Sequence, residues 1–349
     1  VRHGIPAAIR EAWISMQGLN PALRSPYFSP AFTEIVASTR DNVELGVVEA
    51  NGEIVALLPF ERLRWKLAGP VGSFLSDYHG LICLPDFKFS PLDFLRSCGL
   101  VAWDFEHVPQ DQTFFTPYHR GQQRSPVIDL THGYEAYVKE RREAGTEQIK
   151  KNGNLMRRLE REVGPLRFVV HSADTDILAR LLEWKTTQFQ HNRWRDIFSI
   201  PWVRQSMERI HSAQTPDFAG MLSLLYAGDQ LVAAHFGMRS ATVWHYWFPS
   251  YDPDFAKYSP GVMLLLKMAE AAPDMGIHTI DLGCGKHSYK ERLMNGFIAT
   301  AGGSVELTCP ATIARRIWRP VSKLPFQARS LIGKTPIGTL ARRIRDGKE

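Results

Sequence analysis

Two short runs of this sequence carry residue types that could do chemistry together. In the first, Tyr258-Ser259-Pro260-Gly261-Val262, a Pro-Gly pair opens an apolar helical pattern. A helix N-terminus leaves unpaired N–H groups and about half a positive charge, so it is a ready site for a pyrophosphate. Gly261 lets a phosphate approach the backbone closely, and Pro260 gives up an N–H that has no helical partner in the first turn. In the second run, Asp281-Leu282-Gly283 closes an apolar strand pattern, and Tyr289-Lys290 follows it. A carboxylate can act as base or orienting group, a phenol as acid, and an ammonium can hold a phosphate or carboxylate. His245, on a strand pattern with Val243 and Trp247 on the same face, is a further candidate base. No serine sits in a GxSxG elbow, and HExxH and GxxxxGK[ST] do not occur, so a serine-hydrolase triad, a zincin site and a P-loop are excluded.

The elements that must position these groups are legible as periodic patterns. Pro6–Met16 reads as a short helix, Asn20–Pro30 as a Pro-rich loop, and Ala31–Ser38 as a helix. Leu45–Phe60 holds two apolar runs flanking Asn51-Gly52, a strong hairpin signal, and Gly80–Leu84 reads as a further strand. The charged stretch Tyr134–Val163 is helical, with an expected break at Gly153, and divides two similar halves. The run 224–236 lines up with 47–59, turning on Gly228 and Gly52 respectively and leaving through Val-Ala, which suggests a duplicated α/β unit. Strand Thr242–Phe248, a loop Pro249–Ser259, a helix from Pro260 to Met275 and strand Ile277–Leu282 follow, the helix bounded by Pro260 and Gly276. A short helix and a final hairpin are expected after that.

Composition narrows the class. The chain has 349 residues, 44% apolar and 22% charged, with nine Trp, ten Tyr and nineteen Phe, which excludes global disorder and supplies a sizeable core. No run approaches the ~18 apolar residues of a membrane span, and Arg10 and Glu11 stand where a signal peptide needs an apolar region. A cytoplasmic protein is expected. Cys83, Cys98, Cys284 and Cys309 form no CxxC, so they are expected as reduced, mostly buried thiols, and no metal is expected. The formal charge of +6 is unevenly placed: residues 311–349 carry ten Lys/Arg against two acids, leaving −2 for residues 1–310. The body is no basic platform for DNA, and a tRNA partner is not favoured. The tail mixes its cations with Ile313, Ile317, Leu324, Leu331 and Ile344, a pattern expected to contact an anionic membrane surface peripherally.

Tyr258-Ser259-Pro260-Gly261, the helix after it, Gly276 to Gly283 and Tyr289-Lys290 resemble the acetyltransferases linked to bacterial cellulose and exopolysaccharide synthesis. These are members of the GNAT superfamily related to the Fem aminoacyltransferases. Ser25-Pro26-Tyr27-Phe28-Ser29-Pro30, the Ser76-Asp77-Tyr78 turn and Trp184-Lys185 with Gln188 extend the resemblance over most of residues 25–310. It implies an α/β (α+β) fold of two tandem GNAT-like lobes, each a mixed, mostly antiparallel sheet flanked by helices. The divisions are 1–133, 134–310 with the acyl-CoA site, and the basic tail 311–349. It further implies acetyl-CoA, or another acyl-CoA, threaded between splayed strands Thr242–Phe248 and Ile277–Leu282, one per chain. The acceptor it implies is a sugar or sugar-lipid. In that setting Tyr289 is the acid for the thiolate, Asp281 or His245 the base, Lys290 an anion holder, and 258–262 the donor site. The loop departs from the superfamily in having one glycine and no Arg/Gln-x-x-Gly-x-Gly. A Fem-like transferase using aminoacyl-tRNA and a non-enzymatic GNAT-like scaffold therefore stand as alternatives. Asp281-Leu-Gly283-Cys-Gly285 also looks like the first motif of S-adenosylmethionine methyltransferases. Only 68 residues follow Asp281, too few for the rest of that sheet, and His287 stands where the third glycine belongs.

Overall fold

The computed structural model describes residue 1 and residues 4–285 and 287–321. The chain opens on α1 (Ala7–Leu19), which turns Trp13 and Met16 inward, and α2 (Pro30–Ala37). Ser29 caps α2 by accepting the Ala31 N–H at 3.2 Å, and Pro30 occupies the first turn, where no N–H is missed. Hairpin β1 (Val43–Ala50) and β2 (Glu53–Arg62) turns on Asn51 and Gly52, both at positive φ, the geometry that matches strand twist. β3 (Leu67–Gly69), β4 (Ile82–Cys83), α3 (Pro91–Ser97), β5 (Ala102–Pro109) and β6 (His119–Asp129) complete the first half.

The second half begins with α4 (Tyr134–Glu143), α5 (Gln148–Glu162), β7 (Leu166–Val169), α6 (Thr175–His191) and α7 (Pro201–Ser212). The antiparallel strands β8 (Ala219–Ala227), β9 (Gln230–Arg239) and β10 (Val243–Tyr251) follow. Then come α8 (Pro260–Ala271), β11 (Thr279–Asp281), α9 (Ser288–Leu293), β12 (Gly296–Glu306) and α10 (Pro310–Val321).

The strands of the described residues form one mixed, mostly antiparallel sheet in the order β1-β2-β3-β5-β12-β6-β11-β10-β9-β8-β7, with β4 paired to β2. The two matching hairpins lie toward opposite ends. β12, late in the chain, pairs with both β5 and β6 of the first half. Both faces of the second half are covered. Leu222 and Leu224 of β8 face a core with Trp13, Leu181 and Met207, whereas Met221 and Leu225 face one with Leu159, Leu264 and Ile280. Alternation over two buried faces explains why β8 reads as a continuous apolar run. A third core, with Trp103, Phe105 and Phe115, fills the first half.

Several expectations need correction. The break in the charged helical stretch falls at residues 144–147, beside Gly145, while Gly153 lies inside α5. The helix from Pro260 stops at Ala271 because Pro273 cannot continue it. The strand expected over Gly80–Leu84 is only Ile82–Cys83, and the final hairpin is the single long strand β12. Where a loop was expected from Pro249, β10 runs on to Tyr251, and a short 3-10 turn, Pro253–Tyr258, leads to α8. Of the free cysteines only Cys83 is fully buried. Among the described residues no helix is long and apolar enough to cross a membrane.

Of the basic tail, the described part is α10, held to the sheet by charge. Glu306, its side chain 1% exposed, lies 2.8 Å from Arg316 Nε, 3.2 Å from Arg120 and 3.7 Å from Arg315, which also pairs with Asp104. The membrane contact expected of the remaining tail, from 322 on, lies outside the described residues.

Candidate functional site

β10 and β11 run parallel and pair over three positions, ending at His245 opposite Asp281. Their pairing stops there. β11 ends, and the Leu282 N–H turns to the Pro126 carbonyl at 3.0 Å. β10 bulges against β9 between His245 and Phe248, where the Trp247 N–H donates to His235 Nε2 at 3.1 Å and the Tyr246 ring stacks on His235. A bulge bends a strand and re-aims its side chains. Gly237 permits it, because a Cβ there would fall 2.2 Å from the His245 carbonyl oxygen. Pairing between these strands therefore ends at His245 and Asp281, leaving β10 to run on past the end of β11.

The start of α8 stands beside this part of β10. Ser259 takes a left-handed conformation, and its carbonyl accepts the Val262 and Met263 N–H groups at 3.1 and 3.3 Å. The Gly261 N–H is left without an acceptor among the described residues, and a Cβ on Gly261 would meet only Tyr251, at 3.6 Å. Ser259, Gly261 and Val262 line a cavity of about 440 Å³. Tyr258 and Pro260 do not: the Tyr258 hydroxyl donates to Glu162 at 2.5 Å, and Pro260 is buried in the helix packing. Of the five residues expected at the donor site, three face the cavity and two support it.

The same cavity is lined by a cluster of charges. Asp77, its side chain 26% exposed, lines the wall and approaches His245 Nε2 to 3.0 Å. His245 is fully buried behind it, with Nδ1 3.8 Å from Asp281 Oδ2. Asp281 in turn accepts the Ser125 hydroxyl at 2.6 Å and the Gly283 N–H at 2.8 Å. Burial disfavours the imidazolium, but Asp281 and Asp77 overcome this and raise the His245 pKa to about 9. Burial likewise opposes the Asp281 charge, yet His245 and Ser125 hold its carboxyl below the ordinary range. Gly283 completes the arrangement: its φ is +71°, and a Cβ would stand 3.0 Å from Asp77 Oδ2. Asp281 and His245 thus stand behind the cavity wall, next to Asp77 and Gly283, and the two carboxylates favour the charged form of the His245 imidazole.

Lys185 and Gln188, one turn apart on α6, also line the cavity, with Lys185 Nζ donating to Gln188 Oε1 at 2.9 Å. Burial, aided by the nearby Lys290 ammonium, lowers the Lys185 pKa to about 8. Lys290 lines the cavity but donates to the Gly283 carbonyl at 3.0 Å, so it braces the loop after β11; burial lowers its pKa against the pull of Asp77 and Asp281. Tyr289 is on the wall, and burial pushes its hydroxyl up to about 12, so it stays protonated as an acid must. Asp77 and Lys185 were visible in the sequence only as parts of the Ser76-Asp77-Tyr78 and Trp184-Lys185 pieces, with no role attached. The i, i+3 spacing of Lys185 and Gln188 was the usable signal. Among the described residues no group of His, Cys, Asp and Glu is placed to hold a metal ion.

Residues 148–291 match the family model described as Acetyltransferase (GNAT) domain. The chain thus carries a GNAT acetyltransferase domain, that of an acyltransferase, as its sequence led us to expect. No curated protein matches the chain. Among solved structures it is similar to FemX, at 11% identity and a TM-score of 0.61, over 88% of this chain and 98% of that one. It is also similar to the C-terminal domain (DUF2156) of a putative lysylphosphatidylglycerol synthetase from Agrobacterium fabrum, at 12% identity and a TM-score of 0.52, over 81% and 89% of the two chains. A conserved protein of unknown function from Bacteroides thetaiotaomicron matches at 11% identity and a TM-score of 0.52, over 85% and 98%. At such identities the likeness is one of fold, and it extends through both halves of the chain.

Proposed function

We propose that this chain transfers an acyl group, acetyl in the first instance, from acyl-CoA to a hydroxyl or amine of a sugar or sugar-lipid precursor of an envelope polysaccharide. The observation that carries the reading is a single cavity, lined beyond the paired ends of β10 and β11, that holds the unpaired Gly261 N–H together with Asp77, Lys185 and Tyr289. The pyrophosphate would lie on the start of α8, and the thioester would pass between the strands toward the charged side chains. Lys185, with a pKa near the operating pH, is the fitting base for the acceptor proton. Asp77, fixed by His245, orients the acceptor. The acceptor O–H or N–H attacks the thioester carbonyl, its proton passes to the neutral Lys185 amine, and the departing thiolate takes a proton from Tyr289. The cellulose or exopolysaccharide setting rests on the sequence resemblance.

Calorimetric titration with acetyl-CoA, followed by thiol release with amino sugars, tests the reading. One donor site per chain is expected, with a rate that rises as pH passes about 8. Absence of acetyl-CoA binding would refute it. The FemX-like fold keeps an aminoacyl-tRNA donor as a second reading, and the same titration with aminoacyl-tRNA separates the two.

A further inference from the structure

A second, larger cleft of about 680 Å³ opens beside the loop that follows β11, within the ~300–1,000 Å³ typical of small-molecule sites. Its floor is the exposed part of β6 and β12, contributing Gln122, Gln123, Arg124 and Phe297; Gln110 and Glu291 stand at its sides. Nothing in the donor chemistry uses these residues. The cleft is separated from the donor cavity by little more than one strand of chain. Gly285 lines the cleft, its neighbours Gly283 and Cys284 line the donor cavity, and a Cβ on Gly285 would stand 3.7 Å from Lys290 Nζ.

The lining chemistry is specific. Two primary amides, of Gln110 and of Gln122 on the same face of β6 as Arg124, offer donors and acceptors together, the pattern that matches hydroxyl groups, which are both. The Gln110 amide is fixed by donating to the Thr300 carbonyl at 3.1 Å, leaving its oxygen to accept. Phe297 is 48% exposed, and the Arg124 guanidinium lies over its ring, 4.4 Å from the centroid, giving a flat, amphipathic shelf. The charges of Arg124 and Glu291 balance, so among the described lining residues there is no concentrated positive charge of the kind a nucleoside diphosphate would need. Amides around an exposed aromatic face suit the alternating hydroxyl edges and C–H faces of a sugar ring.

We infer that this cleft is the acceptor subsite and that it binds uncharged sugar rings of the acceptor, an inference that rests on the acyltransfer reading above. Saturation-transfer NMR with cellotetraose, chitotetraose and glucosamine, on the intact chain, tests it. At least one is expected to bind, with Kd raised by about tenfold, or about 1.4 kcal/mol, in Phe297→Ala and in Gln122→Ala. These residues are exposed, so the melting temperature and the acetyl-CoA affinity should stay at wild-type values. Failure of all three sugars to bind, or sugar binding that the variants leave unchanged, would overturn the subsite. Sugar binding lost in the variants of a chain that ignores acetyl-CoA would instead keep the subsite and remove the acyltransfer reading.

Discussion

Replacing His245 by Gln should make the protein less stable at low pH and leave its stability unchanged at high pH. In the fold, the imidazole sits between Asp77 and Asp281 with no exposure, and its pKa stands at about 9 against an ordinary 6.5. A raised pKa means that the folded state holds the proton more tightly than the unfolded one. The stability this confers is fully present below pH 6.5 and is lost as pH rises through about 9. The shift corresponds to on the order of 3 kcal/mol. Gln keeps a donor of similar reach but carries no charge, so below pH 6.5 His245→Gln should be destabilised by roughly that amount. Above pH 10 the native imidazole is neutral too, and the two proteins should converge. Lys185, whose pKa is lowered to about 8, works in the opposite sense: its burial costs stability at low pH, which returns as pH rises from about 8. Both proteins contain Lys185, so its effect cancels in the difference. Urea unfolding of both at intervals between pH 6 and 10.5 gives that difference directly. A gap that stays constant across the range would show that the folded imidazole is neutral and would refute the charge sandwich.

Gly261→Val should raise the acetyl-CoA Kd by about tenfold or more by masking the free N–H, while calorimetric melting stays near wild type because Gly is a poor helix former. Lys185→Met should suppress turnover by about 100-fold or more and abolish the rise of rate through pH 8, yet stabilise the protein at pH 7, since a buried ammonium is exchanged for an apolar chain of similar length; turnover and urea midpoints report the two effects. Glu306→Gln leaves Arg120 and Arg316, both partly exposed, without their shared carboxylate, while Arg315 keeps Asp104, and should cost about 1 kcal/mol locally. Faster hydrogen exchange over 310–321, with acetyl-CoA affinity unchanged, is the readout.

The parts of the site that lie close together in sequence were legible; those assembled from afar were not. Pro260 and Gly261 announce the start of α8 by conformational preference alone, and the apolar patterns of 242–248 and 277–282 place the two parallel strands. The end of their pairing depends on the bulge that Gly237 admits and on where β11 stops, and neither leaves a periodic trace. Asp77 and Ser125 reach the charge cluster from the first half of the chain, so no spacing around Asp281 could disclose them. His245 looked like a candidate base because its type suggests proton transfer; its environment, set by two carboxylates distant in sequence, favours its charged form. The early part of β6, His119 to Arg124, escaped notice as a strand because its side chains are half or fully exposed and lack alternation. The same exposed residues supply the amides of the second cleft. Fold reading that follows buried apolar stripes passes over surfaces of this kind.

The position of β12 bears on how the chain comes to be folded at all. β5 and β6 are consecutive, joined by a short connection, yet they are neighbours in the sheet only through a strand made long after both of them. A nascent chain that has completed α9 still displays two unsatisfied strand edges facing a gap one strand wide. Closing that gap brings together residues far apart in sequence, a slow step by loop entropy, and the open edges are templates for pairing with other chains meanwhile. Premature termination before residue 296 should therefore yield aggregates rather than a weakened enzyme. β12 acts as the keystone of an arch, set after the stones on either side of it and holding both.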